Sequence, residues 1–246
     1  MPRVARIVIP GCEHHVTQRG NNRQAVFFTD ADYATYIGLL RERTAALGVS
    51  VAAYCLMPNY VHLILTPGDA DGLAKAVGQT HFAYTQYVNR LHGRSGHLWQ
   101  NRFYSCALDQ EHFWTAAAYV ERNPVLASLV RRAWKYRWSS AAAHVSGRDE
   151  SGLLNLARWT RRLPPDGDWR EALASRQDDE TLDRVRLHLS RGRPLGTDKW
   201  LSKLEAAMNC RLRPLPVGRP KHEDGQQVTV PYYPPITPYY LRMANR

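Results

Sequence analysis

Tyr60 to Leu65 reads as a strand, whose side chains alternate faces residue by residue, so Tyr60 and His62 point to one face while Val61, Leu63 and Leu65 point to the other. The preceding run, Ser50 to Leu56, is rich in Val, Tyr and Cys and also reads as a strand. Pro58-Asn59 between them is turn chemistry, which predicts a hairpin. Upstream, His14 to Gln18 is a short strand-like run, followed by a turn signal at Gly20-Asn21-Asn22-Arg23. Tyr33, Tyr36, Ile37 and Leu40 then recur at helical spacing, predicting a helix from Ala31 to Leu47 with Asp30 as N-cap and Gly48 closing it.

Downstream of Pro67-Gly68-Asp69, a helix is predicted over Leu73 to Leu91. The basic, aromatic stretch from Gly96 to Cys106 is read as containing the last strand. Asp109 begins the helix that carries Tyr119, and Pro124 marks a break in it or the start of the next. The order βαββαβ plus a helix predicts an α+β fold, a ferredoxin-like plait with an antiparallel sheet and its helices on one face. The core is assigned to residues 1–145. Residues 146–190 are assigned to a helical extension, in which Pro164-Pro165-Asp166-Gly167 separates the core from a smaller helical part with helices expected at Trp169 to Ala174 and Asp179 to Leu189. Residues 191–246 read as a basic, Pro-rich tail with one helix near Lys199 to Met208 and an extended end that includes Pro231-Tyr232-Tyr233-Pro234-Pro235.

Charge sharpens this picture. The formal net charge is +11 in 246 residues, and residues 191–246 hold ten Lys/Arg against four Asp/Glu. That excess favours a polyanionic partner. No apolar run approaches the roughly 20 residues of a spanning helix, and Met1 to Pro10 is too short for a signal peptide, so a membrane role is not expected and a cytoplasmic, nucleoid-associated protein is. Cys12, Cys55, Cys106 and Cys210 lie far apart without a C-x-x-C pair and read as reduced, structural thiols.

Two segments carry a resemblance. Met57-Pro58-Asn59-Tyr60-Val61-His62-Leu63-Ile64-Leu65 and Tyr119-Val120-Glu121-Arg122-Asn123-Pro124-Val125 together resemble the HUH single-strand DNA transposases, the IS200-like group, and especially REP-associated tyrosine transposases. His14 to Asn21, Gly96 to Phe103 and Tyr136-Arg137-Trp138-Ser139-Ser140 extend the likeness over roughly residues 1–145. The resemblance implies that Tyr119 attacks a DNA phosphodiester, forming a 5′-phosphotyrosine and releasing a 3′-hydroxyl, so that the strand is later rejoined without ATP. It also implies a divalent metal, Mg or Mn, on His62 and Asn123. In that family a His-hydrophobic-His strand supplies two ligands. Here the first position is Tyr60, a poor substitute for imidazole, which places metal affinity and cleavage in question.

The residues alone support part of this. Tyr119 and Asn123, four apart, share one helix face. His14, His15, His81, His92, His97 and His112 are further imidazoles, and His15 lies on a predicted strand that would neighbour the Tyr60 strand. For DNA contact Arg90, Arg94 and Arg102 offer guanidinium groups, and Trp99 and Tyr104 offer stacking faces, with a core role weighed equally for Trp99. Gly192-Arg193-Pro194 and Gly218-Arg219-Pro220-Lys221 resemble the Gly-Arg-Pro core of minor-groove AT-hooks. Three functions compete: a transposase that nicks and rejoins single-stranded hairpin DNA, a domesticated hairpin-binding protein without cleavage, and an RNA-binding plait. A monomer is favoured over a dimer with exchanged helices.

Overall fold

The computed structural model describes residues 6–164 and 167–213. Arg219 and the Pro231–Pro235 stretch lie outside the described residues. Four strands form one antiparallel sheet: β1 (Glu13–Arg19), β2 (Val49–Met57), β3 (Tyr60–Pro67) and β4 (Tyr104–Leu108), in the order β2-β3-β1-β4. Between them run α1 (Asp30–Ala46) and α2 (Gly72–Leu91). The sequence βαββαβ is thus a ferredoxin-like plait, with the site strands β3 and β1 in its centre.

The period of two decides which side chains meet which helices. Val61, Leu63 and Leu65 join Tyr36 and Leu40 of α1 and Val77 and Tyr84 of α2 in one core. Ile64 joins a second core on the opposite face. β2 serves both cores through a bulge between Val51 and Ala53, where the pairing slips by one residue. Val51, Tyr54 and Leu56 therefore face the first core, while Ala53, Cys55 and Met57 face the second.

Helices cover both faces rather than one. α1 and α2 share a face, as a plait requires. The other is covered by α3 (Gln110–Leu126) and by side chains of α5 (Leu156–Arg162), α6 (Trp169–Ala174) and α7 (Asp179–Arg191), with Phe113, Val120, Trp159, Trp169, Leu182, Val185 and Leu189 in its core. A short α4 (Ala141–Ser146) and a final α8 (Asp198–Met208) complete the described helices. After α7 the chain lies along β4: Leu195 N–H donates to Ala107 O at 2.8 Å, and Cys106 Sγ donates to Arg193 O at 3.0 Å. Arg193 therefore starts a segment pinned to the sheet edge rather than an arm, and its guanidinium donates to Arg211 O at 3.1 Å.

Two local expectations are corrected. The N-cap of α1 is Thr29, in a reciprocal capping box with Asp32, instead of Asp30. Pro124 neither breaks nor starts a helix, because it sits in the last turn of α3, where only one lost N–H and two following residues are at stake. Asp109 does start α3, its side chain accepting the His112 N–H at 2.8 Å.

Candidate active site

β3 brings Tyr60 and His62 to the second face, and α3 crosses that face with Tyr119 and Asn123 one turn apart. Asn123 Nδ2 donates to the Tyr119 carbonyl at 2.8 Å, which fixes the amide and turns its oxygen toward the sheet. Tyr60 Oη donates to that oxygen at 3.1 Å. The Tyr119 and His62 rings meet edge to face with centroids 5.6 Å apart, and Tyr60 meets His62 the same way at 5.2 Å. The four residues foreseen for catalysis and metal binding are therefore in one place.

β1, paired with β3 so that Thr17 lies opposite His62, adds a fifth residue. His15 Nε2 is 2.8 Å from His62 Nδ1, and the His15 ring is 5.8 Å from that of Tyr119. Burial pushes the His62 pKa down to about 3 and that of His15 well below its ordinary value, with the neighbouring His62 adding to the latter, so both imidazoles are neutral at pH 7. His15 Nδ1 is buried without a partner.

Arg186 of α7 is the sixth member, and sequence reasoning missed it. Its guanidinium carbon lies 6.0 Å from the Tyr119 ring centroid. Burial raises the Tyr119 pKa, while the charge and hydrogen-bonding reach of Arg186 and the Asn123 contact favour the phenolate. The only signal in the chain was position: Arg186 follows Val185 on the margin of the apolar stripe Leu182, Val185, Leu189.

Whether these donors suit a divalent cation follows from their chemistry. Among the described residues no group of three or more His, Cys, Asp or Glu is placed to hold a metal. What the site offers is a neutral His62, whose Nε2 makes no hydrogen bond among the described residues, and the Asn123 amide oxygen. Magnesium favours carboxylate and other oxygen donors, so one neutral imidazole and one amide oxygen make at most a weak site that substrate phosphate would have to complete, and the imidazole suits manganese better.

The DNA-contact candidates separate by exposure. Arg90, Arg94, Arg102 and Tyr104 are exposed, Tyr104 at 47%. Trp99 is not available for stacking on bases: it is 8% exposed, its ring lies parallel to His81 at 4.4 Å, and its Nε1 donates to His81 O at 3.3 Å. Among the described residues no helix is long and apolar enough to cross a membrane.

A helix-borne tyrosine and asparagine facing a histidine on the central strand pair of a plait is the arrangement that the resemblance to HUH transposases leads one to expect. Residues 8–123 match the family described as "Transposase IS200 like", so that segment resembles it. Similar solved structures include a REP-associated tyrosine transposase bound to a REP hairpin, 19% identical, covering 63% of this chain and 90% of that one with a TM-score of 0.49. Another, from Deinococcus radiodurans R1 and provisionally described as a transposase, is 24% identical and covers 45% of this chain and 88% of its own, with a TM-score of 0.34. No curated protein matches the chain.

Proposed function

We propose that the protein nicks and rejoins single-stranded hairpin DNA through a 5′-phosphotyrosine on Tyr119. The observation that supports this most directly is the convergence of Tyr119 and Asn123 of α3 on His62 of β3, within the segment that matches the IS200-like family.

A phenol with a raised pKa is a weak nucleophile, and the site must stabilise the charge that develops as its proton leaves. The Tyr119 ring is packed edge to face against His62 and His15, which orients the phenol, while the 2.8 Å bond to the Tyr119 carbonyl orients the Asn123 amide. The near-complete burial of Tyr119, at 5% exposure, keeps water from competing for the phosphotyrosine. His62 and Asn123 would hold a magnesium or manganese ion, which when bound supplies positive charge to the phosphate. The positive balance of the chain and exposed Arg90, Arg94 and Arg102 would bring the strand to the site. The test is incubation with labelled hairpin DNA and manganese. A covalent adduct that Tyr119→Phe abolishes supports the reading, and its absence from the wild-type protein ends it.

A second reading rests on one contact. Tyr60 Oη occupies a lone pair of Asn123 Oδ1, the atom the metal would need, which favours a domesticated protein that binds hairpins and cleaves them poorly. Hairpin affinity without adduct in the wild type, with adduct gained by Tyr60→His, supports it. Full wild-type cleavage excludes it.

A further inference from the structure

We propose that Arg186, which lies beyond the family-matched residues 8–123, is a catalytic residue of this site, its guanidinium holding the negative charge that builds on the Tyr119 oxygen and the scissile phosphate. The inference rests on the transposase reading above.

Three observations carry it. The guanidinium is placed by structure: α7 is fastened into the second core by Leu182, Val185 and Leu189, and ends at Gly192, whose φ of 60° lets the helix stop and the chain turn onto β4. A second contact holds it, since Arg186 Nη1 donates to Asp183 Oδ1 at 2.9 Å with the guanidinium carbon 6.0 Å from the Tyr119 ring centroid. A planar guanidinium with several donors can serve a phenol oxygen and a phosphate oxygen together, which an ammonium cannot do with the same geometry. Finally, position 60 holds a neutral phenol where the resembled family has an imidazole, so the site has fewer metal-binding donors and more need of a cation of its own.

The chemistry balances without a further reactant. The Tyr119 oxygen forms a bond to phosphorus, the bond from phosphorus to the 3′-oxygen breaks, and the phenolic proton is lost to solvent while the departing 3′-oxygen takes one up. Arg186 stays protonated throughout, as its raised pKa requires.

The test uses the full chain with Arg186→Gln, Arg186→Lys and, as a control for general charge, Arg184→Gln on the exposed side of the same helix. Adduct formation is timed on labelled hairpin DNA with manganese, and hairpin affinity is measured without manganese at several salt concentrations. Arg186→Gln should slow adduct formation by about tenfold or more and flatten the salt dependence of hairpin binding, Arg186→Lys should recover part of the rate, and Arg184→Gln should match the wild type. Circular dichroism and thermal melting of each variant separate this from loss of fold. An unchanged rate and an unchanged salt dependence in folded Arg186→Gln overturn the assignment. If the wild type forms no adduct, the transposase reading fails on its own, and the salt dependence still decides whether Arg186 meets a phosphate.

Discussion

His15 Nε2 and His62 Nδ1 stand 2.8 Å apart across the central strand pair, so one imidazole must donate to the other. When His62 Nδ1 is the donor, its Nε2 carries the lone pair that a cation requires, and His15 becomes the residue that fixes tautomer and ring angle. His15→Ala is therefore expected to weaken manganese binding by about tenfold to a hundredfold, the usual effect of losing a partner of a ligating histidine. Titration calorimetry on the DNA-free protein measures this. Equal affinity in the variant would show that the pair is only a packing contact.

Tyr60 is tied to Asn123 by one 3.1 Å hydrogen bond and rests edge-on against His62. Tyr60→His removes that bond and adds an imidazole beside an amide oxygen it no longer blocks. Stability should fall by about 1 kcal/mol, while manganese affinity and the rate of adduct formation rise. Urea unfolding and the adduct assay read the two effects separately, and a variant that loses both stability and manganese affinity would show that Tyr60 is itself the better ligand.

The sequence made the site's frame legible because its spacings are geometric. The period of two from Tyr60 to Leu65 assigns faces in any strand, and a spacing of four from Tyr119 to Asn123 assigns one face in any helix. What depended on the far side of the fold was not legible. Trp99, set among Gly96, His97, Gln100 and Arg102, reads equally as a nucleic-acid contact or a core residue until His81 is seen stacked on it. Arg186 carries no local mark of its partner. Nor does α4, six residues long, whose His144 is held by Glu121 of α3. Pro124 reads as a helix break because sequence does not tell the last turn from the middle.

Glu121, fully buried two residues from the nucleophile, accepts from Ser140 Oγ, from His144 Nδ1 at 2.5 Å and from Trp169 Nε1 at 2.8 Å. It ties α3 to α4 and α6, so the position of Tyr119 depends on it. Glu121→Ala strands three buried polar groups and should destabilise the protein by roughly 3 kcal/mol. Glu121→Gln, which keeps the size and one acceptor, should lose less. The comparison is made by chemical denaturation at pH 7.5, and equal losses would mean that volume rather than hydrogen bonding matters there.

Buried neutral histidines also set an acid limit. Burial lowers His14 to about 4 and His81 to about 3, against an ordinary value of 6.5. Because the unfolded chain takes up these protons at higher pH than the folded one, stability is complete above about pH 6.5 and declines as pH falls toward 4 and then 3. Unfolding free energies measured across this range should show that decline. In His81→Gln, which removes the group beside Tyr36 and Trp99, the slope between pH 6.5 and 4 should be shallower. A parallel curve would place the acid sensitivity elsewhere.

Trp99 and Tyr104 stand five residues apart in the same basic stretch and should fail in opposite ways. The Trp99 indole is packed with His81, Tyr36 and Tyr84, so Trp99→Ala should cost about 3 kcal/mol or more in stability, and any loss of DNA affinity should vanish once unfolded protein is discounted. Tyr104 lies on β4, an edge strand of the sheet, with its ring exposed and Arg102 close by in sequence. Tyr104→Ala should leave the melting temperature unchanged and weaken single-stranded DNA binding by about 1–3 kcal/mol, the range for a lost base stack. Arg102→Ala should instead flatten the salt dependence of binding, because a guanidinium on a phosphate acts by releasing counterions. Fluorescence anisotropy with hairpin and unstructured strands at several salt concentrations reads all three variants. Wild-type affinity in Tyr104→Ala would move the DNA path off this edge of the sheet and toward the exposed Arg90 and Arg94 at the end of α2 and just beyond it.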